Sequence, residues 1–129
     1  MRIPGELRYT ETHEWVRDEG DGVVAVGISD YAQDHLGELV YVELPKVGAK
    51  LAKGAPCAVV ESTKAASDVY APVSGEVVSV NGTLAAAPQT VNGAPYDDGW
   101  LFRLKLADPA ALTSLATAEA YEKLVAAAS

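Results

Sequence analysis

The stretch Ala58-Val59-Val60-Glu61-Ser62-Thr63-Lys64-Ala65-Ala66-Ser67-Asp68-Val69-Tyr70 decides how the rest of the chain is read. Apolar-rich runs, Ala58 to Val60 and Val69 to Tyr70, flank a polar and small segment with one lysine at its centre. That pattern predicts a hairpin over about 58–70 that carries an amine at its tip. The flanking segments repeat one another. Val42-x-x-Pro45-x-x-Gly48-x-x-Leu51 returns 27 residues later as Val69-x-x-Pro72-x-x-Gly75-x-x-Val78. Each copy reads strand, proline break, glycine turn, strand. Two copies are too few to stack as a solenoid, whereas two halves wrapped around each other would bury a core and set the Lys64 hairpin between them.

Outward from the repeat, the N-terminal part predicts short strands at Glu6 to Tyr9, His13 to Arg17 and Val23 to Gly27, the last pair joined through Asp18-Glu19-Gly20-Asp21-Gly22. Ser29 or Asp30 caps a helix through about Leu36, with Gly37 as its stop. Glu38 to Leu44 is a strand ended by Pro45, and Glu76 to Val80 is another. Thr83 to Ala87 is read as a helical turn, Gln89 to Gly99 as a loop, and Trp100 to Leu106 as the strand that closes the sheet. Asp108, followed by Pro109, caps a helix, and Thr117 starts another to Ala127 with Ala118, Tyr121, Leu124 and Val125 on its packed face.

The 129 residues fit one domain, and 49% hydrophobic residues suffice for a real core. The net charge of −8 speaks against nucleic acid or an anionic membrane as partner. Cys57 stands alone, so an intramolecular disulfide and a cysteine-rich metal site are excluded; it reads as a small buried hydrophobe. The two histidines lack convergent ligands, and no metal site is expected. No run approaches membrane-spanning length, and Met1 to Glu6 has neither the signal-peptide nor the transit-peptide pattern. The expectation is a cytoplasmic monomer, complete from its initiator methionine.

Three readings of Lys64 compete. It is a solvated turn lysine, as most lysines are, a Schiff-base lysine, or an amine acylated by a cofactor arm. The second needs a neighbouring cation or an apolar pocket, and the adjoining stretch offers the acids Glu61 and Asp68 instead. In the third, an amide removes the charge and makes the lysine a tether, and a hairpin tip leaves it open first to a modifying enzyme and then to several active sites.

The run from Glu61 through Lys64 to Gly75-Glu76 resembles the lipoylation segment of the glycine cleavage system H-protein family. The likeness extends to His13-Glu14-Trp15-Val16, to Val26-Gly27-Ile28 followed by Ala32-Gln33-Asp34-His35-Leu36-Gly37, to Val42-Glu43-Leu44-Pro45, to Val91-Asn92, and to Pro95-Tyr96 with Gly99-Trp100. Biotinyl relatives carry Met-Lys-Met at the acceptor, and this chain has Thr63-Lys64-Ala65, which favours lipoate. Thr63 and Thr90 depart from the apolar residues common in the family; neither is the acceptor.

The resemblance implies a mostly β fold with accessory α: a barrel-sandwich hybrid of two quasi-symmetric halves with an N-terminal hairpin and C-terminal helices. It implies a carrier rather than an enzyme, with lipoate in amide linkage to Lys64. Its partners would be a pyridoxal-phosphate glycine decarboxylase, a tetrahydrofolate-dependent aminomethyltransferase, dihydrolipoamide dehydrogenase, and a lipoate ligase or octanoyl/lipoyl transferase. The arm would take up the aminomethyl group of glycine, present it to the aminomethyltransferase and be reoxidised. Glu61 is the candidate recognition charge, with Gly48 and Gly75 as paired turns that hold the tip. Glu14, Thr12, Asp68 and His35 are the residues expected around a cleft for the loaded arm. Each also has a plainer reading: Glu14 as a solvent-facing strand carboxylate, Thr12 as a loop hydroxyl, Asp68 as a turn carboxylate, His35 as a polar helix end. A lipoyl relay protein and an unmodified interaction module are the alternatives.

Overall fold

The computed structural model describes residues 1–128; Ser129, the last residue of the expected domain, lies outside them. The chain opens as an antiparallel ladder of β1 (Arg8–Tyr9), β2 (Glu14–Gly20) and β3 (Val23–Ile28). β2 runs further than its sequence pattern suggested. It reaches Gly20 because Asp21 and Gly22, at φ of 56° and 76°, make the tight turn by themselves, and such left-handed pairs match the twist of flanking strands. α1 (Asp30–Leu36) starts on Ser29, whose Oγ accepts from Ala32 N, and stops at Gly37, φ 82°.

Next come β4 (Leu39–Glu43), β5 (Lys50–Leu51), the hairpin strands β6 (Pro56–Ser62) and β7 (Ala66–Tyr70), and β8 (Gly75–Val80). The stretch read as a loop contains a one-turn helix, α2 (Thr90–Gly93), which buries Val91. β9 (Phe102–Leu106), β10 (Ala116–Thr117) and α3 (Ala118–Ala128) complete the chain. Seven strands form one sheet in the order β10-β1-β2-β3-β9-β8-β5, and β4-β6-β7 form a second.

The helix expected after Asp108 is a 3₁₀ segment, Pro109–Ser114, rather than α-helix. Asp108 caps it as anticipated, but Thr113 and Ser114 donate their hydroxyls back to the carbonyls of Ala110 and Ala111. Such side-chain bonds compete with regular helix continuation, and the segment ends at Leu115.

The two repeat copies bond to each other. Gly48 N donates to Val77 O at 2.7 Å and Val77 N to Ala49 O at 2.9 Å; Gly54 N and Ala71 N pair with Ala71 O and Ala55 O at 2.8 Å each. The two glycines serve this junction differently. Gly48 sits in a turn at φ 91°, whereas Gly75 lies within β8, opposite Leu51, where a Cβ would stand 2.4 Å from the Lys105 carbonyl oxygen. Gly75 is thus a point of close backbone approach and not a turn. Neither glycine is hydrogen-bonded to the hairpin tip.

The main core lies between the sheets and includes Val16, Val26, Leu39, Val60, Val69, Val77 and Phe102. A second cluster, Leu7, Tyr9, Trp15, Tyr96, Tyr121 and Val125, fills the space under α3. Alternation along β2 serves both: Trp15 faces the second cluster while Val16 faces the first.

Overpacking at Gly75 forces the backbone of β9 away, so Gly75→Ala should cost about 2 kcal/mol. Gly48→Ala, with open space around it, should cost about 1 kcal/mol from its positive φ alone. Urea denaturation of the two variants checks this order; equal losses would refute the close-approach reading of Gly75.

Candidate functional site

Lys64 stands exposed in the turn between β6 and β7. Ser62 builds that turn. Its N–H donates to Ala65 O at 2.8 Å, and its Oγ accepts from Lys64 N at 3.3 Å and Ala65 N at 3.1 Å. A side-chain oxygen that accepts local backbone N–H groups replaces the ladder bonds missing at a hairpin end. The lysine stem runs out over Gly37: a Cβ there would lie 3.4 Å from Lys64 Cε and 3.8 Å from Nζ. Among the described residues the ion pairs are Arg17–Glu19, Arg103–Glu19 and Lys123–Glu119, and Lys64 takes part in none. The amine is therefore presented without a carboxylate clasp. Glu61 sits half-buried on β6 opposite Ala66 and Tyr41, beside the tip, while Thr63 is exposed within it.

At the far end of the same hairpin lies a cleft of about 530 Å³. Tyr9, Ala71, Pro72, Leu115 and Leu124 give it apolar walls, Glu11 and Lys53 also line it, and Glu14 contributes a carboxylate. Its C-terminal wall is fixed by α3: the Tyr121 ring stacks on Tyr9 at 4.5 Å, and the Tyr121 hydroxyl meets His13 Nδ1 at 2.8 Å and Ser29 Oγ at 2.7 Å. β10 pairs with β1 and closes the same side.

Glu14 is not a solvent-facing strand residue. It is 2% exposed, on the inward face of β2. Thr10 Oγ1 donates to Glu14 Oε1 at 2.6 Å, Thr12 Oγ1 donates to the same oxygen at 2.5 Å, and Tyr70 N donates to Oε2 at 3.2 Å. Burial pushes the Glu14 carboxyl above the usual carboxylate range, and these bonds, with its own backbone N–H, oppose the rise. Beside it, burial and then the Glu14 charge push the Cys57 thiol up to about 12. The Cys57 Sγ–H donates to Val69 O at 3.3 Å, and the residue is part-buried rather than the fully buried hydrophobe expected.

The structure thus brings Glu14 and Thr12 together and leaves two expected residues outside the cleft. Asp68 is exposed on β7, two residues before Tyr70 on the same face, and does not line the cavity. His35 is exposed at the end of α1, its Nδ1 3.0 Å from Tyr31 O and its ring against Tyr31. Two further residues of the site, Thr10 and Tyr70, are not among those expected from the sequence. A Thr-x-Thr-x-Glu spacing was the available signal for Thr10; Tyr70 acts through its backbone N–H, which no side-chain pattern announces.

Among the described residues no group of His, Cys, Asp and Glu is placed to hold a metal ion, and no helix is long and apolar enough to cross a membrane.

A family model described as Glycine cleavage H-protein matches residues 7–128. A protein of Laribacter hongkongensis named Glycine cleavage system H protein is 60% identical over 123 residues, covering 95% of this chain and 97% of that one. A protein of the same name from Edwardsiella ictaluri is 57% identical over 119 residues, covering 92% and 93%. The crystal structure of a glycine cleavage system H protein from Mycobacterium marinum superposes with a TM-score of 0.87 at 39% identity, covering 95% of this chain and 98% of that one.

The raised Glu14 carboxyl means that the folded chain holds this proton more readily than the unfolded chain. Its contribution to stability is fully present below the ordinary carboxylate range and is lost as pH rises through the raised value. Relative to the parent, Glu14→Gln should therefore gain stability on going from pH 4 to pH 7. Urea denaturation at the two values checks the sign; a difference that does not change with pH would contradict it.

Proposed function

The chain belongs to the glycine cleavage H-protein family, and from that premise we propose that it is a lipoyl carrier with lipoate in amide linkage to Lys64. One observation supports this most strongly: a single hairpin joins an unclasped, exposed lysine at its tip to a cleft with a buried carboxylate at its base. The residues present suit the group. An exposed amine on a Ser62-tied turn is open to a lipoate ligase or octanoyl/lipoyl transferase, with Glu61 as a charge that such an enzyme reads. An amide at Nζ makes no demand for a counter-ion, and among the described residues no carboxylate pairs with it.

When attached, the arm supplies the disulfide sulfur that takes up the aminomethyl unit left after a pyridoxal-phosphate glycine decarboxylase has removed carbon dioxide from glycine. An aminomethyltransferase then receives that unit, and dihydrolipoamide dehydrogenase restores the disulfide. The chain itself contributes shelter. The apolar walls Tyr9, Pro72, Leu115 and Leu124 keep water from the cargo. Glu14 pairs its ammonium, and such a pair in a water-poor site is a charge-assisted hydrogen bond of the strong kind. Thr12 is the polar contact beside it, and Asp68 stands on β7 between the tether and the cleft. No side chain in this arrangement is asked to break a bond, so the chain acts as a substrate of its partners and not as an enzyme. It works as a cytoplasmic monomer.

Intact mass of the protein from a lipoate-supplied host should show one lipoyl adduct, absent in Lys64→Arg. No adduct, or one that survives the substitution, would sink the assignment and leave an unmodified interaction module. With the adduct in place, glycine and a competent decarboxylase should release carbon dioxide only when this chain is added. Lack of any exchange would point to a lipoyl relay.

A further inference from the structure

We propose that Thr10 is a positioning residue for the cargo-holding carboxylate, the group that fixes which lone pair of Glu14 faces the cleft. The proposal rests on the reading above that Glu14 pairs the cargo ammonium.

A carboxylate offers about four acceptor sites. At Glu14 the hydroxyls of Thr10 and Thr12 both fall on Oε1, and Tyr70 N falls on Oε2. Oε2 carries the lighter load and is the oxygen an incoming cation meets. The two threonines are not equivalent. Thr10 Oγ1 also accepts from Glu14 N at 3.1 Å and Thr12 N at 3.3 Å, so both its lone pairs are occupied and its single proton goes to Oε1. Thr10 N in turn donates to Glu14 O at 2.9 Å, which closes the loop on itself. Thr12 lies on the exposed side, and its hydroxyl carries none of these backbone bonds. Its other contact is the Thr10 hydroxyl at 3.1 Å, so it can turn from Oε1 towards cargo, whereas the Thr10 hydroxyl is held by the backbone. Thr10 holds the carboxylate in the empty and the loaded states, and Thr12 exchanges between them.

The consequence is a division of labour. Losing Thr12 removes a contact to cargo; losing Thr10 leaves a buried carboxylate with one fewer fixed donor and free to rotate. A carboxylate so deprived takes a proton at higher pH. The titratable and charged groups facing Glu14 are Cys57 on β6, Tyr70 on β7 and Tyr121 on α3, with Tyr9, Glu11 and Lys53 around the cleft. Changes at residue 10 leave all of them in place.

Thr10→Val keeps the side-chain shape and removes the hydroxyl; Thr10→Ser restores it. The Glu14 carboxyl carbon is followed by NMR against pH in the unlipoylated protein. The Val variant should move its midpoint upward by about one pH unit, and the Ser variant should return it to the parent value. The lifetime of the loaded form, prepared with glycine labelled at its methylene carbon and a decarboxylase, should shorten severalfold in the Val variant, with recovery in the Ser variant and with the lipoyl adduct unchanged. A parent-like midpoint in the Val variant would overturn the proposal, as would a shortened lifetime that the Ser variant does not rescue. Glu14→Gln separates the two levels. If it shortens the lifetime and Thr10→Val does not, the Thr10 role alone fails; if neither does, the reading of Glu14 fails with it.

Discussion

Antiparallel bonding between the two repeat copies is the constraint on which the remaining architecture rests. Gly48 and Ala49 exchange bonds with Val77, and Gly54 and Ala55 with Ala71. These two clasps tie the segments before and after the hairpin to each other, and β6 and β7 run on from them to the turn. Gly75 permits β8 to lie against β9 at a distance that any side chain would prevent. The position of Lys64 is therefore set by the closure of the core and needs no contact of its own beyond the Ser62 turn.

The same hairpin carries information in the other direction. Tyr70 ends β7 at the cleft, and its N–H holds Glu14, a residue 56 positions earlier in the chain. A desolvated carboxylate is costly unless its acceptor sites are filled, and here both oxygens have donors. Two hydroxyls and one amide keep the group in place, while burial raises its carboxyl above the ordinary range. On the proposed reading, a cation entering the cleft relieves the desolvated charge.

Much of this was legible before any coordinates. The Lys64 hairpin, the repeat, the Ser29 and Asp108 caps and the packed face of α3 all rest on local turn chemistry or on periodicity, and these are written in consecutive residues. What escaped depended on tertiary neighbours. For Glu14 the sequence left two readings, a cleft residue and a solvent-facing strand carboxylate, and only the folded arrangement, with Tyr70 of β7 bonded to it, separates them. Tyr70 contributes a backbone N–H, invisible to side-chain patterns, whereas Asp68, expected from the resemblance, lies exposed two positions away. Gly75 shares the register of Gly48 in the repeat but sits in a strand, so identical spacing concealed two different physical reasons for glycine. The segment Pro109–Ser114 has an α-helical cap and start, yet two hydroxyls bonding back to carbonyls hold it as 3₁₀.

The tip and the cleft are two ends of one device only if cargo tethered at Lys64 comes to rest against Glu14. Loading the lipoylated protein with glycine labelled with carbon-13 at the methylene position makes that contact directly observable. Nuclear Overhauser effects from the labelled methylene to the Tyr70 amide proton and the Thr12 methyl group, with a methylene linewidth matching the protein core, are the expected result. A narrow, freely tumbling methylene signal without cross-peaks to either residue would contradict it.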